Sequence, residues 1–452
     1  MEVFIQVKNV LKMTMLLTVM AVFLTTIIIP QQAKAENSLN IMADAAILVD
    51  AETGKILYEQ NSEAPLGIAS MTKMMTEYLL FEAIEEGRIT WDQEYKVTDY
   101  TYKISQDLRL SNVPLRKDES YTIQELYEAM AIYSANAATI GIAETIAGTE
   151  GEFVRLMNEK AAEFGLKDTK FVNSTGLSNK DLMGMQPEGT GPTDENVMPA
   201  RSVALLAKTL LDTYPEVLET TKIPQKVFRE GTDDATNMEN WNSMLPGLIY
   251  EYEGVDGLKT GTTDFAGHSF TGTAKRGDTR LIAVVMKAVD SEGVGSYKAR
   301  FDATRALFDF GFGQFTTEEI VPAGYQFEGK ETLPVTKGKE DKVNIAVKEP
   351  IKMLIRTVDK DSYKPELVID ESVLADGEME AGVDKDKVVG SVKVAKTEGT
   401  DYGYLDGKNA GAEVVTTEKV ERANWFSLSM QAVGSFFSTM WVGAVDFVTG
   451  LF

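Results

Sequence analysis

The sequence predicts an α+β protein: an antiparallel sheet covered by helices, then a small all-β domain, then a C-terminal amphipathic helix. Three observations support this fold class. Strand-like segments stand at both ends of a helix-rich stretch, short β runs take over beyond about Thr317, and an almost uncharged apolar segment runs from Asn424 onward. The 452 residues are enough for two or three domains with separate cores.

Residues 1–35 have the pattern of a secretory signal peptide. Two lysines precede an uncharged apolar run over residues 13–29, and the small-residue sequence Ala33-Lys34-Ala35 follows. We therefore expect cleavage there and export of a mature protein that begins at Glu36. An uncleaved membrane span is the alternative, because the run is slightly longer than a usual signal core.

The first folded domain, predicted over residues 36–317, begins with a hairpin and a long helix. Ala45–Val49 and Lys55–Tyr58 have strand composition and flank a glycine turn. From Ser70 to Glu86 apolar residues recur near helical spacing, and the glycine that follows ends the helix.

A second pair of helices meets at a short polar corner. Thr122 and Glu125 form a capping box for a helix that should run to about Tyr133, and a further helical stretch ends near Ile146. Ser134-Ala135-Asn136 is therefore predicted to lie at the junction between two helices.

The rest of the first domain combines a loop with further helices and strands. Residues 174–200 are rich in Ser, Thr, Asn, Gly and Pro and predict a long surface loop. After this loop, the patterns predict helices at Ala200–Leu211 and about Tyr297–Phe310, and strands at Val255–Thr260, His268–Ala274 and Leu281–Met286.

Two further segments follow the first domain. Residues 318–418 contain short β runs separated by Gly, Asp and Lys turns and carry no catalytic motif, so we expect a β domain that is a spacer or a binding module. In residues 419–452, large apolar side chains such as Phe437 and Trp441 share one helical face. This tail predicts a helix that anchors the protein to a membrane lipid surface. A helix docked on the protein's own core and a full membrane span are the alternatives.

Composition excludes several classes of function. A formal net charge of −24 argues against a nucleic-acid partner, because phosphate binding needs clustered Lys and Arg. With no cysteine and the single histidine His268, the chain offers no Cys nucleophile, no structural zinc site and no motif that needs two histidines. A Ser-His-Asp triad would depend on His268, and a lone histidine is more often structural. We expect neither a metal nor an organic cofactor.

Three short motifs indicate the chemistry. Ser70-Met71-Thr72-Lys73 places a hydroxyl and an amine three residues apart on one helical face, where the lysine can take the serine proton. Ser134-Ala135-Asn136 and Lys259-Thr260-Gly261 follow, and the glycine that ends the last motif would let a substrate backbone approach closely. Each motif alone is a weak signal, but chance is a poor explanation for all three in this order.

In this order the motifs resemble those of penicillin-binding proteins and serine β-lactamases, and the residues around them look like the low-molecular-mass D-alanyl-D-alanine carboxypeptidases. The resemblance covers about residues 40–312 and extends to the layout of the β domain and the tail. It implies a five-stranded antiparallel sheet beside a helical region, with the active site between them. It also implies an enzyme on the extracytoplasmic face of a bacterial cell membrane. This enzyme would remove the terminal D-alanine from peptidoglycan pentapeptides and would be acylated by β-lactam antibiotics.

The resemblance assigns a role to each motif residue. Ser70 would be the acylated nucleophile, Lys73 its base and Ser134 a proton relay. The substrate-binding residues would be Asn136, Lys259, Thr260, Gly261, Thr262 and Arg300. The backbone N–H groups of Ser70 and Thr262 would form the oxyanion hole. Independently of the family, a base lysine must be neutral near pH 7, and burial beside the cation Lys259 would lower the pKa of Lys73.

Other functions stay open at this point. A DD-endopeptidase or a transpeptidase would use the same acyl-enzyme. A class A β-lactamase needs a glutamate that activates the deacylating water, and its Glu-x-x-x-Asn pattern does not occur between Ala137 and Leu258. A non-catalytic wall-binding protein with the same fold is the third alternative, and penicillin labelling of Ser70 would distinguish it from an enzyme.

Overall fold

The computed structural model describes residues 39–425, so the predicted signal peptide and residues 426–452 of the predicted anchor lie outside the described part. The described α-helices are α1 (Lys73–Glu85), α2 (Asp99–Ser105), α3 (Ile123–Tyr133), α4 (Asn136–Ala147), α5 (Glu150–Glu163), α6 (Ala200–Thr213), α7 (Val217–Thr221) and α8 (Tyr297–Gln314). Short 3-10 helices lie at Ala69–Thr72, Asn179–Leu182, Thr357–Ser362 and Glu371–Val373.

The described strands divide between the two domains. Those of the first domain are β1 (Ala43–Asp50), β2 (Ile56–Gln60), β3 (Pro65–Gly67), β4 (Glu94–Lys96), β5 (Ser120–Thr122), β6 (Val197–Pro199), β7 (Gln225–Phe228), β8 (Thr236–Glu239), β9 (Val255–Thr263), β10 (Gly267–Arg276) and β11 (Thr279–Ala288). Those of the second are β12 (Phe315–Val321), β13 (Thr332–Thr336), β14 (Lys342–Val347), β15 (Ile351–Arg356), β16 (Tyr363–Ile369), β17 (Met379–Glu380), β18 (Val388–Lys396) and β19 (Gly411–Thr416).

A five-stranded antiparallel sheet forms the centre of the first domain, in the order β2-β1-β11-β10-β9. The predicted hairpin is confirmed as β1 and β2, and the three strands predicted later in the chain are confirmed as β9, β10 and β11. Pairing of β1 with β11, with Leu48 opposite Ala283, joins the two ends of the domain. This order leaves β9 at the edge of the sheet, where it meets the helices.

Helix α1 runs through the interior of the first domain. Met74, Met75, Leu79 and Leu80 are all buried on it, and a helix that is apolar on nearly every side is buried in a core. The sequence predicted a helix from Ser70, but the chain forms a 3-10 turn over Ala69–Thr72 and becomes α-helical only at Lys73.

The predicted corner between two helices is confirmed. The side chain of Thr122 accepts the N–H of Glu125, and the Glu125 carboxylate in turn accepts the N–H of Thr122, which is the capping box expected at the start of α3. Ser134 ends α3 in the left-handed conformation with a φ of 59°, and α4 begins at Asn136. This turn of the backbone directs the chain from one helix into the next.

The predicted surface loop over residues 174–200 is wrong in its first part, because residues 171–179 are buried. The Asn173 side-chain oxygen accepts the N–H groups of Thr175 (3.1 Å) and Gly176 (2.7 Å). The Glu150 carboxylate accepts the N–H and hydroxyl of Ser174 at 3.0 and 2.6 Å. Polar side chains that bond one another in this way are buried at little cost, so polar composition alone did not identify this buried segment.

The second domain is all-β, as predicted. Its larger sheet has six strands in the order β16-β18-β19-β14-β13-β17, and β12 pairs separately with β15. Residues such as Val343, Ile345 and Val392 fill its core. Helix α8 ends at Gln314 and β12 begins with the next residue, so the chain passes directly from one domain to the other.

The second domain contacts the first at the turn between β1 and β2. Lys55 in this turn is 3% exposed, and its ammonium donates to Asp401 at 3.1 Å and lies 5.0 Å from the centre of the Tyr404 ring. The N–H of Leu405 donates to the carbonyl oxygen of Gly54 at 2.9 Å. These contacts lie on the sheet edge formed by β2, whereas β9 forms the opposite edge. Within residues 39–425, no helix is long and apolar enough to cross a bilayer.

Candidate active site

Ser70 and Lys73 face each other where the 3-10 turn becomes α1. The Lys73 ammonium nitrogen Nζ lies 3.0 Å from Ser70 Oγ, and the lysine is fully buried. Ala69, at the start of this turn, has a φ of 45°, a left-handed conformation that alanine rarely adopts. A Cβ on Gly176 would lie 1.8 Å from the Ala69 carbonyl oxygen, so only glycine allows the buried segment to pack against this turn.

Two further groups complete the surroundings of the Lys73 amine. Asn136 Oδ1 and the carbonyl oxygen of Thr175 each lie 2.8 Å from Nζ. Both oxygens can only accept hydrogen bonds. A neutral lysine amine has two N–H bonds and one lone pair, so donation to these two oxygens leaves the lone pair directed at the Ser70 hydroxyl.

Each of these acceptors is held in place by other hydrogen bonds. The Asn136 side-chain NH₂ donates to the Ser111 carbonyl oxygen at 3.0 Å. Asn196 ties the buried segment to the Ser70 turn, because its NH₂ donates to Thr72 Oγ1 at 2.8 Å and to the Asn173 carbonyl oxygen at 2.9 Å. The Lys73 environment is therefore built from four separate parts of the chain.

The Lys259-Thr260-Gly261 motif lies on β9 beside the Ser70 turn. Lys259 and Thr260 are buried, and a Cβ on Gly261 would lie 2.5 Å from the Ile68 carbonyl oxygen. The sequence suggested that this glycine admits a substrate backbone. The structure shows that it admits the protein's own backbone, and so brings β9 against the turn that carries Ser70.

Arg300 on α8 lies behind the end of β9. Its guanidinium is 1% exposed, and Nη1 donates to Thr262 Oγ1 at 2.9 Å and lies 3.4 Å from the Gly261 carbonyl oxygen. The Tyr297 and Phe301 rings flank it, each with its centre 5.0 Å from the guanidinium carbon. Its Nε is buried without a hydrogen-bond partner among residues 39–425. Arg300 and Lys259 thus add two positive charges to the region of β9.

Burial and mutual repulsion set the charges of these groups. Burial is the main reason that the pKa of Lys73 lies well below its usual value of 10.5, and repulsion from the nearby Lys259 cation lowers this pKa further. Burial lowers the pKa of Lys259 to about 8 and that of Arg300 to about 10. Near pH 7 this arrangement favours a neutral Lys73 beside a charged Lys259 and a charged Arg300.

The structure places Ser134 and His268 differently from these groups. Ser134 is buried at the corner before Asn136, and among the described residues no hydrogen bond joins its hydroxyl to Ser70 or Lys73. The His268 ring packs edge-on against Tyr297, and its buried Nδ1 has no hydrogen-bond partner in the described chain. His268 therefore lacks the carboxylate that orients the histidine of a catalytic triad.

Sequence reasoning missed several residues of this region. Asn196 and the Thr175 carbonyl lie in a stretch whose composition is that of a surface loop, so no local signal identified them. Glu77 had a signal: it is a carboxylate on an otherwise apolar helix, four residues after Lys73. It is 1% exposed, and burial raises its pKa to about 7. No group of three or more His, Asp or Glu side chains within residues 39–425 is placed to hold a metal ion.

Comparison with known proteins finds relatives of both domains. The family model described as D-alanyl-D-alanine carboxypeptidase matches residues 31–290. The model described as penicillin-binding protein 5, C-terminal domain, matches residues 315–422. The chain is 33% identical to D-alanyl-D-alanine carboxypeptidase DacF of Bacillus subtilis over 346 residues, which cover 76% of this chain and 81% of that protein.

Two solved structures are similar to this chain. Penicillin-binding protein 3 from Streptococcus pneumoniae, described as a peptidoglycan synthesis regulatory factor, superposes with a TM-score of 0.71 and is 36% identical, over 84% of this chain and all of that one (100%). Penicillin-binding protein D2 from Listeria monocytogenes, in its cefotaxime-bound form, superposes with a TM-score of 0.50 and is 32% identical, over 60% of this chain and 98% of that one.

Proposed function

The chain belongs to the D-alanyl-D-alanine carboxypeptidase family, and from this premise we propose how it removes the terminal D-alanine from peptidoglycan pentapeptide stems. Ser70 is the nucleophile and Lys73 is its general base. The observation that carries the proposal is the 3.0 Å contact between Lys73 Nζ and Ser70 Oγ, with the lysine fully buried. An amine in this position can take the hydroxyl proton only while it is neutral, and burial favours the neutral form.

Acylation begins when the Ser70 hydroxyl proton passes to the Lys73 lone pair. Because Asn136 and Thr175 accept the two N–H bonds, the lone pair faces Ser70. Ser70 Oγ forms a bond to the carbonyl carbon of the penultimate D-alanine, and the backbone N–H groups of Ser70 and Thr262 stabilise the oxyanion. The result is a tetrahedral intermediate beside a charged Lys73.

The intermediate collapses when the peptide C–N bond breaks. The leaving amine needs a proton, and in this proposal Lys73 returns one through the Ser134 hydroxyl, which has to form a hydrogen bond with Lys73 that is absent among the described contacts. D-Alanine leaves, and the rest of the stem remains as an ester on Ser70. A water molecule then gives a proton to the neutral Lys73, and its oxygen bonds to the ester carbonyl carbon. The acyl C–O bond to Ser70 breaks, Lys73 returns the proton to Ser70 Oγ, and the shortened stem leaves with a new carboxyl group.

The substrate's terminal carboxylate is held by Lys259, Thr260 and Arg300. Both cations are buried, and neither has a carboxylate within ion-pair distance among residues 39–425. Buried cations have lost the water that would solvate them. Without a close counter-ion they therefore favour an anionic ligand, whose negative charge stabilises the buried positive charges. The terminal carboxylate of a peptide supplies that charge, and an internal peptide bond does not.

β-Lactam antibiotics acylate the same serine. When Ser70 opens the lactam ring, the leaving nitrogen stays attached to the acyl group and cannot diffuse away. The similar Listeria monocytogenes protein was solved in a cefotaxime-bound form, which supports labelled penicillin as a probe of Ser70 here.

Mass spectrometry of a pentapeptide muropeptide after incubation with the mature protein tests this function. Loss of one alanine is the expected result. Cleavage of cross-linked muropeptides alone would identify an endopeptidase, and transfer to an added amine acceptor would identify a transpeptidase. An unchanged pentapeptide together with no penicillin label would favour a non-catalytic wall-binding protein.

The proposed location is the extracytoplasmic face of the bacterial cell membrane. The predicted signal peptide, residues 1–35, exports the chain, and the tail, residues 419–452, holds it peripherally at the lipid surface. The first residues of this segment pack with the β domain, because Val420 is 1% exposed in its core and the Ala423 N–H donates to the Lys337 carbonyl oxygen. The apolar part of the segment begins at Asn424, and Trp425, the last described residue, is 79% exposed. The β domain, residues 318–418, then separates the active site from the membrane and brings it toward the wall.

A further inference from the structure

Glu77 lies buried in the first domain, one helical turn beyond Lys73 on α1. Its carboxyl group is 1% exposed, and Oε1 has no hydrogen-bond partner among residues 39–425. A buried, poorly bonded carboxyl group is expensive to keep in a core, and an apolar residue would suit this helix better. The proposed mechanism does not use Glu77, so its presence at this position calls for a cause.

Three titratable groups face Glu77 from the surrounding elements: Lys73 on the same helix, Lys259 on β9 and Tyr127 on α3. Burial raises the pKa of Glu77 to about 7, although both lysine cations favour its ionised form. The carboxyl group therefore exchanges its proton in a pH range close to that of Lys259, whose pKa is about 8.

The effect of Glu77 is unequal on the two lysines. For Lys259, the Glu77 carboxylate is the strongest influence that opposes burial and keeps the amine charged, and Arg300 acts against it. For Lys73, the repulsion from Lys259 outweighs the attraction from Glu77. A negative charge on Glu77 thus favours the charged form of both lysines, and the charged Lys259 in turn favours a neutral Lys73.

We propose that Glu77 is a positioning residue that keeps Lys259 charged beside a neutral Lys73 and so sets the pH range in which Ser70 is acylated. This inference rests on the proposed function, because it assumes that Lys73 is the base and that Lys259 binds the carboxylate. Glu77 acts through these two lysines by its charge and does not touch the substrate.

The Glu77→Gln variant tests this role, because glutamine keeps the shape and removes the charge. We measure the second-order rate of acylation by labelled penicillin in the mature full chain from pH 5 to pH 10. Without the carboxylate, Lys259 loses its proton at lower pH, so the alkaline limb of the profile should move down by about one pH unit. The substitution also removes a negative charge near Lys73, which lowers the pKa of Lys73. The acidic limb of the profile should therefore move to lower pH as well.

Glu82→Gln is the matched control. Glu82 lies on the same helix, but its carboxylate pairs with Lys160 at 2.8 Å, outside the site. The pH profile of acylation for the Glu82→Gln variant should equal that of the wild-type protein. If Glu77→Gln does not fold, as judged by thermal unfolding, Glu77→Asp decides the question. Aspartate keeps the negative charge on a side chain that is one methylene shorter, so the alkaline limb should shift by less than the unit expected for Glu77→Gln.

A rate that falls by the same factor at every pH in the folded Glu77 variant would overturn the inference, because a purely structural role predicts this result. An unchanged profile would overturn it as well. If the proposed function itself were wrong, the wild-type protein would take up no label at any pH, or the Ser70→Ala variant would still be labelled.

Discussion

Lys73 Nζ lies 3.0 Å from Ser70 Oγ, although the two residues belong to different helix types: Ser70 to a 3-10 turn and Lys73 to the first turn of α1. Ala69, which precedes the serine, has a left-handed backbone conformation. The contact links the proposed nucleophile to its proposed base without a histidine, and the first two predictions test each partner of the pair.

Replacement of Ser70 by alanine should abolish both penicillin labelling and D-alanine release. In the proposed mechanism the oxygen of this hydroxyl forms the acyl bond, and Lys73 has no other serine hydroxyl within hydrogen-bond distance among the described residues. Mass spectrometry of the intact protein after incubation with penicillin measures the label. Ser372→Ala, on the exposed surface of the β domain, is the control and should keep full labelling. Label retained by Ser70→Ala would contradict the assignment.

The Lys73→Arg variant should lower the acylation rate by about 10²- to 10⁴-fold, the usual contribution of a general base. Arginine keeps the positive charge, but its guanidinium does not lose a proton near neutral pH. Stopped-flow measurement with a fluorescent penicillin gives the rate, and circular dichroism checks the fold. Near-normal acylation would transfer the role of base to Ser134 or to a bound water molecule.

Acylation by wild-type protein should fall as the pH rises through about 8. Burial lowers the pKa of Lys259 to about this value, so above it the amine is mostly neutral and no longer attracts the carboxylate of the substrate or of penicillin. Burial and the nearby Lys259 cation hold the pKa of Lys73 well below its usual value, which favours the neutral base in this range. The Lys259→Arg variant should lose this alkaline limb, because arginine stays charged. A wild-type rate that is constant up to pH 10 would contradict the assignment of Lys259.

The Arg300→Gln variant should lower kcat/KM for D-Ala-D-Ala peptides by about ten- to a hundredfold, which corresponds to the 1.5–3 kcal/mol of a hydrogen bond to a charged group. The matched probe is the same peptide with an amidated C-terminus, which is a poor substrate for both proteins. The ratio of kcat/KM for the acid peptide to kcat/KM for the amidated peptide should therefore be smaller for Arg300→Gln than for the wild-type protein. Equal losses for both peptides would indicate that Arg300 only supports the fold through Thr262.

Truncation after Trp425 should give a soluble protein that still binds penicillin and cleaves small D-Ala-D-Ala peptides. The site residues all precede β12, and the truncated chain keeps the hydrogen bond from the Ala423 N–H to the Lys337 carbonyl oxygen. Each large apolar side chain removed from the lipid surface loses about 1.5–3 kcal/mol of binding. Sedimentation with membranes measures the change. A truncated protein that still pellets would place the anchor in an uncleaved N-terminal segment.

Local pattern predicted the elements that carry the motifs. The capping box of Thr122 and Glu125 located the start of α3, and strand composition located β9 with Lys259. Patterns over a few residues succeed here because capping and strand alternation depend on neighbours in the chain. Local pattern did not identify the buried segment at residues 171–179, because its hydrogen-bond partners lie outside it: the Ser174 hydroxyl donates to Glu150, and the backbone N–H groups of Val172 and Asn173 donate to Asn196.

The sequence by itself indicated the fold class, the order of the domains and the proposed nucleophile and base, since Ser70 and Lys73 are three residues apart and need only one helical turn to meet. The tertiary structure decided the state of that base. The groups that surround Lys73 come from positions 63 and 102 residues farther along the chain and from β9. Burial and through-space repulsion depend on which distant segments pack together, and no local pattern records them.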